Sequence, residues 1–317
     1  MVPFTLLISS LLCAPALAAP ATTGGDSNLH RDLLLVKSFK KQITSDPHGY
    51  TRNWTGNDVC KFGGFRCVDN PNTGLKALSG IDLNYFELEG NPLKLEGFLD
   101  KLTDLTFFHA NTNGFTGELP KDLSALKWLW ELDLGVNQLS GPFPEAVLNA
   151  NLVFLDLRFN SFDGPLPEKL FELDLDTIFL NDNKFSGSIP ATIGSTPARY
   201  ITLANNQFKG RIPETLGNAT SLEEILLLGN RLSGPLPTVY KTENLTVFDV
   251  SNNKLSGPVP EALCELEKVK LVNLTNNNFD GALGPACTKL VENDVLDVSN
   301  NCIKGAKGQK SASDCTK

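Results

Sequence analysis

Histidine is scarce: the 317-residue chain holds three, His30, His48 and His109. None is placed to join the cysteine pairs in a metal site, so no metal is expected. Neither a nucleophile motif nor a phosphate-binding glycine loop is present, and nothing suggests a cofactor. No enzyme is expected on these grounds. After the first 18 residues no apolar run approaches the ~18 residues that span a bilayer. Positive charge is in deficit. Lys and Arg total 28 against 36 Asp and Glu, giving a net charge of -8 and a pI near 5.0. That balance argues against nucleic acid and anionic membranes as main partners.

What the chain does have is one frame used again and again. Leu129 to Pro144, LWELDLGVNQLSGPFP, returns as LVFLDLRFNSFDGPLP, LDTIFLNDNKFSGSIP, ARYITLANNQFKGRIP, LEEILLLGNRLSGPLP and LTVFDVSNNKLSGPVP. Its anchor asparagines are Asn113, Asn137, Asn160, Asn183, Asn206, Asn230, Asn253, Asn277 and Asn301, always 23 or 24 residues apart. This is the period of a leucine-rich repeat. The expected fold is an α/β solenoid, a right-handed superhelix of about ten repeats with a parallel sheet on its concave face, capped at both ends.

One repeat cannot stand alone. Its six or so apolar side chains contribute about 2 kcal/mol each on burial, whereas ordering its residues costs about 1–2 kcal/mol apiece. Stacking makes up the difference. Asparagine suits the inward turn because its amide donates and accepts at once, so the asparagine row reads as structure, not as a row of sites. Gly141, Gly164, Gly187, Gly210, Gly234 and Gly257 permit a tight bend. The prolines that follow, from Pro144 to Pro260, discourage a long helix on the outer side.

The ends differ from the middle. Residues 1–18 read as a secretory signal peptide, with Ala16-Leu17-Ala18 as cleavage site, which makes the protein secreted and extracellular. Residues 19–76 hold a leader, a capping helix over Leu29 to Ile43 with apolar residues three or four apart, and a disulfide loop. Repeats run over 77–305, with Phe86 where the first anchor asparagine should be, and 306–317 form a short polar cap or tail. Cys13 leaves with the signal peptide. Spacing then favours pairing Cys60 with Cys67, Cys264 with Cys287 and Cys302 with Cys315. Four sequons mark Asn53, Asn218, Asn244 and Asn273 for glycosylation. The last falls within a strand of the exposed sheet face.

Within each frame, residues flanking the middle leucine point away from the core. Glu131, Asp133 and Asp156 gather beside Arg158 as a mostly anionic patch. Phe154, Phe179, Tyr200 and Leu226 put aromatic and apolar groups on the same face, with Asn181, Thr202 and Glu224 among them. Exposed apolar surface of this extent is more often an interaction site than an accident, and aromatic anchors dominate binding energy. The competing reading is a solvated acidic face whose apolar groups merely pack strand to strand. Asp133 and Asp156, on neighbouring strands, could suit paired acid–base work, but an open sheet offers no enclosed pocket to perturb them.

The frame LxxLxLxxNxLSGxIP resembles plant-type leucine-rich repeats, as in receptor ectodomains and polygalacturonase-inhibiting proteins. NDVCKFGGFRC, GIDLNYFELEG, LTDLTFFHANTNGFTGELP, LWELDLGVNQLSGPFPEAVL, LVFLDLRFNSFDGPLPEKLF and LTVFDVSNNKLSGPVPEAL are similar to consecutive repeats of the leucine-rich repeat extensins, over roughly residues 57–287. That resemblance implies an extracellular, wall-associated role and the binding of small cysteine-rich signalling peptides of the rapid alkalinization factor type. It matches Glu131, Asp133, Asp156, Arg158, Phe179 and Asn181 to the family's inner strands. No Ser-Pro repeat follows residue 305, so tethering through an extensin tail is not implied. Three functions are expected in order: a non-enzymatic module binding an extracellular peptide or protein on its concave face; an inhibitor of a secreted polysaccharide hydrolase; or a structural protein of the cell wall that meets polysaccharide alone.

Overall fold

The computed structural model describes residues 28–70 and 74–315. The expected signal peptide and leader lie outside them. Eleven strands form one sheet, in which Phe65–Asp69 runs antiparallel to Lys76–Asp82 and the remaining strands follow in chain order, all parallel. From Phe107–His109 to Leu271–Asn273 each is three residues long, and the last is Leu296–Asp297. Three residues suffice because only the middle side chain of each, such as Leu132 or Ile178, must enter the core.

A second sheet of eight short parallel strands, from Thr116–Gly117 to Asn278–Asp280, was not expected from the sequence. It is built from the Leu-Ser-Gly part of each frame, whose single inward residue (Leu139, Phe162, Phe185, Phe208) is fully buried. Phe162, Phe185 and Phe208 stack with centroids 6.0 and 6.5 Å apart. Short 3-10 turns such as Glu145–Asn149 and Glu168–Glu172 begin directly after Pro144 and Pro167 and close each coil.

The anchor asparagines tie coil to coil. Asn183 Oδ1 accepts the Phe162 N–H of the preceding coil at 3.0 Å, while its Nδ2 donates to Leu157 O at 2.9 Å and Leu180 O at 3.2 Å. Asn206, Asn230 and Asn277 repeat the pattern. Each Oδ1 answers a backbone N–H that would otherwise be buried and orphaned, and each carbonyl is shared by two successive anchors, as Leu157 O is by Asn160 and Asn183.

Both ends are covered. The helix Leu29–Lys40 buries Leu33, Val36 and Phe39, and Phe39 stacks on Phe98 at 4.1 Å. It stops short of the expected end, because Ile43 instead enters a small strand, Ile43–Ser45, paired with Glu89–Gly90. Tyr50 stacks on Phe86 at 4.2 Å, so an aromatic pair fills the place of the missing first asparagine. At the other end Gln309 bonds the backbone of Val298 and Ile303, and Lys310 bonds Asn278. The three disulfides are Cys60–Cys67, Cys264–Cys287 and Cys302–Cys315, as spacing suggested.

Candidate functional site on the concave sheet

In-register pairing lines up Glu131, Phe154, Thr177, Tyr200 and Glu224 across five strands, and Asp133, Asp156, Phe179, Thr202 and Leu226 beside them. The residues expected on one face therefore do share it.

They are not equally accessible. Asp156 has no exposed surface at all and Thr202 is also buried, which corrects their expected role as contact residues. Strand geometry sets the direction of a side chain but not what its neighbours lay over it. Arg158 folds back so that its Nε sits 2.9 Å from Asp156 Oδ2, and its guanidinium lies 5.2 Å from the centre of the Phe179 ring. The Nε contact is an ion pair by distance whose geometry makes no hydrogen bond, leaving Oδ2 unanswered in that respect. Oδ1 accepts the Arg158 backbone N–H at 2.9 Å. Burial, and then the neighbouring Asp133 charge, push the Asp156 carboxyl up to about 8. An enclosed pocket is thus not needed to perturb it, contrary to the sequence-based argument.

Asp133 stays half-buried, accepting from Gly135 N at 3.0 Å and Asn111 Nδ2 at 3.2 Å. Glu131 meets His109 Nε2 at 2.9 Å, and this hydrogen bond holds its carboxyl below the usual range. Phe154 and Phe179 pack edge to face at 5.9 Å, both half-buried. Farther along, the Tyr200 hydroxyl donates to Glu223 Oε2 at 2.9 Å, and burial raises the Glu224 carboxyl. Asn181 donates to Asp182 at 2.8 Å, but its own Oδ1 is buried without a partner.

Sequence reasoning confined to strand positions missed the rim. Directly before the anchor asparagines the backbone is left-handed: Val136 at φ 52°, Phe159 at 51°, Asp182 at 55°, Asn205 at 52°. Later coils fill this position with Asn, Asp or Gly, which tolerate it. Two neighbouring coils instead place Val136 and Phe159 there, 40 and 49 % exposed. The departure from Asn at a fixed offset was the available signal. At the N-terminal end a cleft of about 640 Å³ opens between Arg66, Asp82, Tyr85 and Phe107, with Arg66 5.5 Å above the Phe107 ring.

The sequons divide by position. Asn53, Asn218 and Asn244 lie off the sheet, whereas Asn273 stands within a strand and donates to Asp249 at 3.0 Å.

Comparison with known proteins places this geometry. A family model described as Leucine Rich Repeat matches residues 151–173 and 244–266. Leucine-rich repeat extensin-like protein 1 of Arabidopsis thaliana is 40 % identical over 107 residues, which are 33 % of this chain and 14 % of that protein. The chain therefore corresponds to a small part of that relative's length. Among solved structures, the Arabidopsis receptor kinase HAESA in complex with the peptide hormone IDA and the co-receptor SERK1 aligns with TM-score 0.73 and 30 % identity, covering 86 % of this chain and 46 % of that one. The PEPR1–AtPEP1 structure aligns with TM-score 0.72 and 26 % identity, over 86 % and 42 %. The chain folds as a leucine-rich repeat solenoid, with a repeat region similar to that of the leucine-rich repeat extensin-like proteins.

Proposed function

We propose that this is an extracellular, non-enzymatic recognition protein that holds an extended peptide, or a peptide segment of a protein, against the concave sheet between Phe107 and Tyr200. The observation that carries this reading is the juxtaposition on adjacent strands of accessible carboxylates, Glu131 and Asp133, with the aromatic pair Phe154 and Phe179 and the exposed rim of Val136 and Phe159. Such a surface fits a ligand with cationic and apolar side chains in alternation. Asp156 acts indirectly, fixing Arg158 against Phe179. Among the solved structures similar to this chain, HAESA holds the peptide hormone IDA. Three disulfides suit an oxidising compartment. Glycans at Asn53, Asn218 and Asn244 would leave the sheet free, and one at Asn273 would confine the ligand to the N-terminal coils.

Capture from extracellular fluid tests this. Recovery of a small peptide, lost on Glu131→Lys with Asp133→Lys and on Phe154→Ala with Phe179→Ala, is the expected result. Capture of a polysaccharide hydrolase would favour an inhibitor, and unaltered peptide capture by both double variants would remove the concave sheet from the function.

A further inference from the structure

The cleft at the N-terminal end of the concave sheet holds two opposite charges that do not meet. Arg66 and Asp82 both line it, and neither joins an ion pair among the described residues. Arg66 stands in register with Gly80, and Asp82 lies two residues farther along that strand. They are therefore diagonal neighbours on one face, about 7–8 Å apart at the backbone. One Asp82 oxygen accepts the Asn84 N–H at 3.2 Å. The residue in register with Asp82 on the next strand is His109, which Glu131 already engages at 2.9 Å. The Asp82 charge is thus unanswered. So is that of Arg66, whose guanidinium lies 5.5 Å from the centre of the Phe107 ring.

Aromatic groups furnish the rest of the wall. Gly80 is in register with Phe107, and the ring leans into the space a side chain there would fill, since a Cβ would collide with it. Phe86 is fixed by stacking on Tyr50. Tyr85 is 64 % exposed, more than any other large apolar or aromatic side chain among the described residues. Its backbone is left-handed, with φ 60°, a conformation that residues other than glycine, asparagine and aspartate avoid. A strained, exposed ring at the lip of a cleft points to use. The volume, about 640 Å³, lies in the range of small-molecule sites.

We propose that this cleft binds a free aromatic α-amino acid, its ammonium on Asp82, its carboxylate on Arg66 and its ring between Tyr85 and Phe107. The two charged groups of such a zwitterion share one carbon. With a charge-assisted hydrogen bond of about 2.8 Å at each end, the molecule bridges two charges that cannot reach each other. The end residue of a peptide brings only one of the two charges and leaves the other unanswered. The cleft touches the peptide-binding surface only at Phe107, and the assignment does not depend on that reading.

The test titrates the full chain by calorimetry with phenylalanine and three analogues: phenylalaninamide, which lacks the carboxylate; N-acetylphenylalanine, which lacks the ammonium; and glycine, which lacks the ring. Phenylalanine is expected to bind about fivefold or more tighter than each analogue, the difference that a partly wet charge pair supports. Arg66→Gln should erase its advantage over phenylalaninamide. Asp82→Asn should erase its advantage over N-acetylphenylalanine, while asparagine still accepts the Asn84 N–H. Tyr85→Asn relieves the left-handed backbone, so it should raise the melting temperature and yet weaken phenylalanine binding. This variant carries the test if either charge variant proves unfolded in a melting curve. Phe154→Ala with Phe179→Ala should leave phenylalanine binding intact, so that failure of the peptide surface and failure of this site are read separately. Equal affinity for any analogue overturns the proposal, as does undiminished phenylalanine binding by the folded variants. So does the absence of binding at about 10 mM phenylalanine.

Discussion

Replacing Asp156 by Asn removes one proton site from the middle of the concave sheet and weakens the 2.9 Å contact with Arg158 Nε, a change that does not itself depend on pH. Asparagine keeps the shape and an oxygen for the Arg158 N–H that Oδ1 accepts at 2.9 Å. The aspartate is buried beside Asp133, and its carboxyl rises from an ordinary 3.8 to about 8. A carboxyl raised in the folded chain holds a proton that the unfolded chain has released. Its stabilising effect is complete below about pH 4 and drains away as pH climbs toward 8. At about 1.4 kcal/mol per pH unit the whole loss approaches 6 kcal/mol as a ceiling. Asp32, raised to about 6 chiefly by its own burial, contributes a similar but narrower loss in both proteins and cancels in the comparison. Urea unfolding followed by circular dichroism at intervals from pH 5 to 9 reads the difference. The stability of Asp156→Asn relative to wild type should grow by about 2–4 kcal/mol between pH 5 and 8. A difference constant to within about 0.5 kcal/mol across that range would mean that Asp156 ionises normally, and the account of its burial would be wrong.

Two further outcomes follow from the backbone. Asn183→Ala orphans the Phe162 N–H, while Leu157 O keeps its bond from Asn160 and Leu180 O its bond from Asn206; we expect a loss of about 2 kcal/mol by urea midpoint, and a loss below about 0.5 kcal/mol would show that water answers that amide. Phe159→Asn relieves an aromatic residue held at φ 51° and should stabilise by about 1 kcal/mol while weakening peptide capture; a melting temperature that falls would show that Phe159 packs usefully in the free protein.

The repeats were legible because the period is nearly invariant, and an anchor asparagine every 23 or 24 residues leaves one way to stack the coils. The disulfides followed from the same arithmetic: Cys264 and Cys287 are one coil apart. The face of the sheet was legible as a direction, so Glu131, Asp133, Phe154 and Phe179 were found together. Accessibility was not. The burial of Asp156 depends on the rotamer of Arg158 and on Phe179 beside it, and no periodicity encodes a side chain bending over its neighbour. The second sheet escaped notice because its strands are two to five residues long, too short for alternation to register.

The asparagine bonds have a direction. Each anchor serves an amide that belongs to the coil before it, so the Phe279 N–H donates to Asn301, and the Asn301 carbonyl in turn accepts from the Lys310 N–H. Adding or deleting an entire coil preserves this chain of obligations, whereas cutting within one strands a donor in the interior. A gene built on this plan can lengthen or shorten in whole coils without redesigning its core, and the C-terminal staple is the one part that cannot be moved inward.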